Sequence, residues 1–201
     1  MPESFDRRAF FRSSLRRMAR AAVESWDALQ SDPRRPPPAP LRRIRPPGAL
    51  AEGDFLARCT RCNDCVQACP AQCIIHVPEG HPDAGTPWIR PEERACVLCT
   101  GLQCTQVCEP GALRPLERPL DVRIGLAEVD RGRCVTWHGA ECRVCVDVCP
   151  VEPAALVLDG AHPRVEAAFC TGCGLCEERC PVRPPAIRIQ PLAGPGAGGA
   201  P

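Results

Sequence analysis

The sequence predicts an α+β fold built from four copies of one small cysteine-rich unit, set between a basic arm and a short tail. Three observations predict it. Sixteen of the seventeen cysteines fall into four groups of four, and the first cysteines of successive groups stand 37, 38 and 36 residues apart, the near-constant period of a modular array. A short aliphatic run follows each group, as a strand closing a small unit would. Aromatic residues make up only 4% of the 201 residues, with no Tyr, so a conventional apolar core is thin for this length.

In chain order, residues 1–31 form a basic arm. Phe5-Asp6-Arg7-Arg8-Ala9-Phe10-Phe11-Arg12 resembles the core of a twin-arginine export signal, but the apolar run that should follow is absent. Residues 13–30 read instead as an amphipathic helix, with Leu15, Met18, Ala22, Trp26 and Leu29 on or near one face. Such a helix docks on a partner or makes a peripheral contact with an anionic membrane surface; a solvated helix with a weak stripe is the plainer reading. Residues 32–48 are rich in Pro and Arg and are expected to form an extended, semi-rigid linker. Residues 49–190 hold the array, and residues 191–201 form a Gly/Ala/Pro tail expected to be disordered. No stretch is long and apolar enough to span a bilayer. Residues 1–47 carry eleven Arg against five acids, and residues 48–201 fourteen against nineteen, so a basic arm precedes an acidic body.

The four groups carry the chemistry. Cys59-x2-Cys62-x2-Cys65-x3-Cys69-Pro70 and Cys170-x2-Cys173-x2-Cys176-x3-Cys180-Pro181 reproduce the bacterial ferredoxin run, in which three close thiolates and a fourth before proline serve two neighbouring clusters. Cys96-x2-Cys99-x4-Cys104-x3-Cys108 and Cys134-x7-Cys142-x2-Cys145-x3-Cys149-Pro150 each widen one gap and still supply four thiolates. All sixteen are therefore candidate ligands of four [4Fe-4S] clusters. Tetrahedral zinc would explain the Cys-x2-Cys pairs but leaves the fourth cysteine and its proline without a role. A disulfide framework suits short secreted chains, and cysteines two residues apart make poor bridge partners. With four clusters of about −2 each, the formal charge of +1 becomes about −7. An acidic body argues against nucleic acid as a partner. The apo chain is expected to lack order between residues 55 and 190, because cluster binding and folding are one event in units this small.

Within the array, Cys73-Ile74-Ile75, Ala112-Leu113, Ala155 to Leu158 and Ala186 to Ile189 read as closing strands. Trp88-Ile89, Glu128-Val129 and Arg164-Val165 read as opposing ones, with short helices just after each third cysteine. The units pair as halves of ferredoxin modules. Tandem pairing joins copies one with two and three with four; nested pairing joins one with four and two with three, and the widened gaps of both central copies favour nesting slightly. The odd cysteine, Cys73, stands where other copies have Ala112, Ala155 and Ala186, and reads as a buried small hydrophobe, with a spare ligand as the rival reading. Trp88 and Trp137 read as packing groups rather than relays, and His76, His81, His138 and His162 show no ligand spacing. No dinucleotide fingerprint, P-loop or paired nucleophile is present, so the chain is expected to be no enzyme.

Beyond the cysteines, Arg45-Pro46-Pro47-Gly48-Ala49-Leu50, Gly85-Thr86-Pro87, Pro110-Gly111-Ala112-Leu113, Arg123-Ile124-Gly125-Leu126-Ala127 and Cys170-Thr171-Gly172-Cys173-Gly174 resemble the NapG/MauM group of ferredoxin-type proteins. The resemblance covers residues 45 to 190. It implies an electron conduit between a membrane quinol-oxidising subunit and a terminal reductase or other oxidoreductase. The related NapF group, with four similar motifs and no export segment, implies the alternative of a maturation or scaffold protein for a molybdenum reductase. Without the apolar run, the chain is expected in the cytoplasm or on the cytoplasmic face of the inner membrane. The alternative is export to the periplasm through a degenerate twin-arginine signal.

Overall fold

The computed structural model describes residues 42–151 and 155–192. The arm helix, residues 32–41 of the linker and the tail from residue 193 lie outside the described residues. Residues 42–48, the end of the expected linker, pack into the fold: Ile44 is fully buried and bridges to Ile89, and Arg45 is buried against Phe55.

A first helix, α1 (Glu52–Arg58), carries acids in its first turn and Arg58 in its last, matching the helix dipole. It buries Phe55 against Leu50, Ala112 and Leu113. Four one-turn helices follow: α2 (Asp64–Gln67), α3 (Gln103–Gln106), α4 (Val144–Asp147) and α5 (Leu175–Glu178). Each begins one residue before the third cysteine of its copy rather than just after it, so Cys65, Cys104, Cys145 and Cys176 are themselves helical.

Among the described residues, three two-stranded antiparallel sheets complete the α+β architecture. Strands β1 (Ile74–His76) and β2 (Pro87–Ile89) pair locally. So do β4 (Leu156–Asp159) and β5 (His162–Val165). The third sheet joins distant segments, β3 (Gly125–Val129) with β6 (Ile187–Pro191), in the register Ala127 to Ile189. The expected strand at Ala112-Leu113 is reduced to a bridge between Ala49 and Leu113, flanked by Leu50 N–H to Ala112 O and Arg114 N–H to Gly48 O. Pro110 and Pro115 bracket this segment and can donate nothing to a longer ladder.

These long-range pairings decide the topology. The Ala49–Leu113 bridge closes a half that contains copies one and two, and β3 with β6 closes a half that contains copies three and four. Pairing is thus tandem, not nested, despite the widened gaps of the two central copies. The widened gaps are local loops: Val135–His138 forms a 3-10 turn ended by Gly139 in the left-handed region, and Trp137 stacks on His162 at 4.2 Å.

The two halves meet through a backbone bond from Cys96 N–H to Cys173 O (2.9 Å). The Glu178 carboxylate also accepts from Ala95 N–H (2.8 Å). Within the second half, Ile124 N–H donates to Thr171 O (3.0 Å), and Gly172 allows that close approach, since a Cβ there would stand 2.3 Å from Gly125 N, and its φ of +75° also suits glycine. One buried cluster, including Ile74, Ile89, Leu102, Val122, Ile187 and Ile189, runs through both halves together with Cys73 and seven cysteines of the first, second and fourth groups.

Candidate metal centres

The fold gathers the sixteen cysteines in fours around four cavities. The first cage is Cys59, Cys62 and Cys65 with Cys108, around about 400 Å³ of empty space. The second is Cys96, Cys99 and Cys104 with Cys69, around about 320 Å³. Cys134, Cys142 and Cys145 with Cys180 line the third (about 340 Å³), and Cys170, Cys173 and Cys176 with Cys149 the fourth (about 290 Å³). Each cage takes three sulfurs from one copy and the fourth from its tandem partner. Apart from the cysteines the linings are mainly apolar, with Phe55, Val66 and Leu113 in the first cavity and Leu156 and Ile189 in the fourth.

Local backbone conformation builds the cages. In three copies the residue just before the second cysteine has positive φ (Arg61, Leu98, Gly172), and so does the residue leading into the helix (Asn63, Leu102, Gly174). Such alternation turns successive N–H groups toward one concavity, an arrangement that suits anions and iron–sulfur groups. In copy three Arg143, with φ −137°, precedes the helix instead. Backbone N–H groups also donate to sulfur: Leu113 to Cys108 (3.3 Å), Ala186 to Cys180 (3.4 Å) and Ala127 to Cys170 (3.5 Å). The buried Thr171 hydroxyl lines the fourth cavity beside the Cys173 sulfur, where it opposes the rise that burial gives that thiol's pKa.

The electrostatics of the cages suit a cation-bearing occupant. Burial, then the neighbouring thiols of Cys59, Cys108 and Cys62, push the Cys65 thiol up to about 12. Cys104 rises likewise to about 12, Cys145 to about 11, and Cys176 well above its ordinary value. Four thiols crowded together and largely shielded from water resist ionising together; bound iron removes that penalty. Among the described residues, no three His, Cys, Asp or Glu side chains stand close enough to hold a single metal ion. A tetrahedral zinc would need sulfurs roughly 3.8 Å apart. Four sulfurs spread around a cavity suit a larger group, and the donor set fits a cubane cluster.

The cages are also ordered. Cys104 feels Cys65 of the first cage, Cys173 feels Cys96 of the second, and Cys176 feels Cys145 of the third. The sequence in space is first, second, fourth, third. Cys62 is exposed and the other three thiols of the first cage are half-buried, as are Cys134, Cys142 and Cys145 of the third. The inner cages are buried except at Cys99 and Cys149.

Cys73 is buried and lines the second cavity, its Sγ 3.5 Å from that of Cys69. Trp88 is buried and donates to His76 O, in keeping with a packing role. His138 bonds Gly132 O and His162 contacts Thr136, while His76 borders the first cavity. Sequence reasoning missed Thr171 and the fully buried Glu177, since neither has a spacing signal of its own.

Residues 127–181, which hold copies three and four, match the model of the 4Fe-4S dicluster domain. The chain is 40% identical over 175 residues to the methylamine utilization ferredoxin-type protein MauM of Paracoccus denitrificans, covering 79% of this chain and 78% of that one. It is 37% identical over 165 residues to the ferredoxin-type protein NapG of Escherichia coli, covering 75% and 71%. The chain belongs to the MauM/NapG family of ferredoxin-type proteins. The ferredoxin-type protein NapF of Escherichia coli is also similar, at 31% identity over 137 residues, covering 65% and 76%. No solved structure matches. As a MauM/NapG-family member the chain is an iron–sulfur protein of the electron-transport class, and its cofactors are [4Fe-4S] clusters. No helix among the described residues is long and apolar enough to cross a membrane.

Proposed function

We propose that this protein holds four [4Fe-4S] clusters, one per cage, and passes single electrons between a donor and a terminal oxidoreductase without substrate chemistry of its own. The donor is a quinol-linked membrane subunit or a ferredoxin-like protein. The observation that carries this reading is the three-plus-one make-up of all four cages, the ligand exchange of a two-cluster ferredoxin repeated twice. When bound, each cluster supplies a one-electron couple. The chain's own residues ligate it through the four thiolates, exclude water with apolar linings, and donate N–H groups to sulfur from Leu113, Ala127 and Ala186. The first and third cages, less buried than the inner two and at opposite ends of the series, suit contact with two different redox partners.

We place the protein in the cytoplasm or at the cytoplasmic face of the inner membrane, with residues 1–30 as a peripheral contact. Fractionation of the native protein beside a variant with Arg7 and Arg8 both changed to Lys tests this; periplasmic recovery lost only in the variant would support the twin-arginine alternative. The four-cluster reading is tested by anaerobic reconstitution with iron and sulfide. About sixteen of each per chain is expected. Binding of zinc in their place, or about eight irons, would sink it. A second reading, a maturation or scaffold protein for a molybdenum reductase, draws on the likeness to NapF. Tighter binding to an unassembled reductase than to the mature one would favour it.

A further inference from the structure

We infer that Cys73 tunes one centre of the four: its thiol donates an S–H hydrogen bond to the Cys69 sulfur, a ligand of the second cage, and raises the reduction potential of the cluster held there. The inference rests on the four-cluster reading and concerns what distinguishes the second cage from the other three.

Cys73 Sγ stands 3.5 Å from Cys69 Sγ, within the range of a sulfur hydrogen bond, and only 3% of the residue is exposed. The second cavity is the only one of the four lined by five cysteines. Cys73 is not needed as a ligand. Cys69, Cys96, Cys99 and Cys104 already make the three-plus-one set found in the other cages, and those copies carry Ala112, Ala155 and Ala186 at the equivalent position. A fifth buried thiol with no metal bond keeps its proton, because a fifth unpaired anion would be costly there. Between a ligating thiolate and a neutral thiol, only the thiol can donate. At Cys108 and Cys180 the described donors to the fourth sulfur are backbone N–H groups, of Leu113 and Ala186. The Cys73 S–H is an addition that no other copy can make.

One-electron reduction adds negative charge that the cluster shares with its thiolate ligands. A donor aimed at one of those sulfurs stabilises the reduced form more than the oxidised one, and the potential rises. No bond forms or breaks, and the proton stays on Cys73.

The test is a redox titration of the reconstituted full chain followed by electron paramagnetic resonance. The signal altered by Cys99→Ser identifies the second cage. Cys73→Ala is expected to shift that midpoint to more negative potential, leaving the other three and the iron content unchanged. Cys73→Ser, which retains a donor of similar size, is expected to recover part of the shift. Three results would overturn the inference: no shift in Cys73→Ala, equal shifts in the Ala and Ser variants, or loss of about a quarter of the iron, which marks a ligand. Failure of the wild type to load four clusters counts against the four-cluster reading, whereas full loading with an unmoved midpoint counts against Cys73 alone.

Discussion

Glu177→Ala should be among the most damaging substitutions outside the cysteines, although Glu177 touches no cavity. Its side chain is fully buried, while that of Arg42 is 25% exposed, and the pair is held at 2.7 Å. One carboxylate oxygen also accepts from Ile189 N–H in β6 at 2.7 Å, and Arg42 donates in turn to Ile189 O at 2.8 Å. Burial alone would lower the Arg42 pKa, but the hydrogen bond and charge of Glu177 raise it. Removing one partner of a buried ion pair costs about 3–5 kcal/mol, and an orphaned backbone N–H about 1–3 kcal/mol. Water still reaches Arg42 and recovers part of this, so we expect a loss of about 3 kcal/mol in total. For a chain of this size that lowers the thermal midpoint by about 6–12 °C. The assay is loss of the visible cluster absorbance at one fixed heating rate, because bleaching is irreversible. Glu177→Gln keeps an acceptor and should lose about half as much. The double variant with Arg42→Ala should lose less than the sum of the two single ones. A Glu177→Ala midpoint within about 2 °C of wild type, or a Gln variant as impaired as the Ala variant, would falsify the reasoning.

The remaining predictions follow from other parts of the fold. Burial would raise the Asp83 carboxyl, but hydrogen bonds from Arg43 and Arg45 hold it at about 2, against 3.8 ordinarily. Its stabilisation, about 2 kcal/mol, is complete above pH 3.8 and lost only as pH falls toward 2. Asp83→Asn should therefore cost about that much by an amount that stays flat from about pH 8 to about pH 5; a gap that closes over this range refutes the assignment. Gly172→Ala forces a Cβ onto Gly125 and should strip iron from the fourth cage before the first, read as loss of one paramagnetic signal; wild-type iron would contradict the packing. Cys69→Ser should perturb the same signal as Cys99→Ser, and Cys149→Ser the same one as Cys173→Ser; a Cys69 effect on the centre of Cys173 would restore nesting. Chelation of iron should abolish the far-ultraviolet dichroism of residues 55–190, and native-like cooperative unfolding of the apo chain would count against it.

The cysteines and their chemistry were legible because ligand spacing is local: three thiols within seven to twelve residues define a corner of a cage wherever the chain goes next. The fourth partner was not, because it depends on which distant segments pair. Ala49 with Leu113 and β3 with β6 settle that, and neither pairing has a signature in its own residues. The widened gaps misled because they are loops beside cages rather than joints between them. Arg42 and Arg45 fall in the segment expected to be an extended linker, and nothing local marks their ion pairs, since their counter-charges, Glu177 and Asp83, lie far off in sequence. The strand expected at Ala112-Leu113 failed for a local reason that was visible: the prolines on either side leave no room for a ladder.

The arrangement of charge and backbone bonds at the junction of the halves bears on how the cages can work together. Apolar contacts alone would let two small halves slide, since hydrophobic burial has no direction. Here the junction is fixed by directional bonds: Cys96 N–H to Cys173 O and Ala95 N–H to the Glu178 carboxylate. Residues 42–45 reinforce them, because Arg42 binds the second half at Glu177 and Ile189 while Arg43 and Arg45 bind the first at Asp83. Two of these bonds start or end on cysteine backbones of the second and fourth cages or on the residue beside one. Any slip of the junction would thus move the inner cages relative to each other. A chain whose task is to keep four redox centres in series has reason to lock this joint with hydrogen bonds and buried ion pairs, even where apolar residues would pack as stably. On this argument Glu177→Ala harms spacing as well as stability, and the variant should show altered magnetic coupling between the second and fourth centres at temperatures where all the iron is still bound.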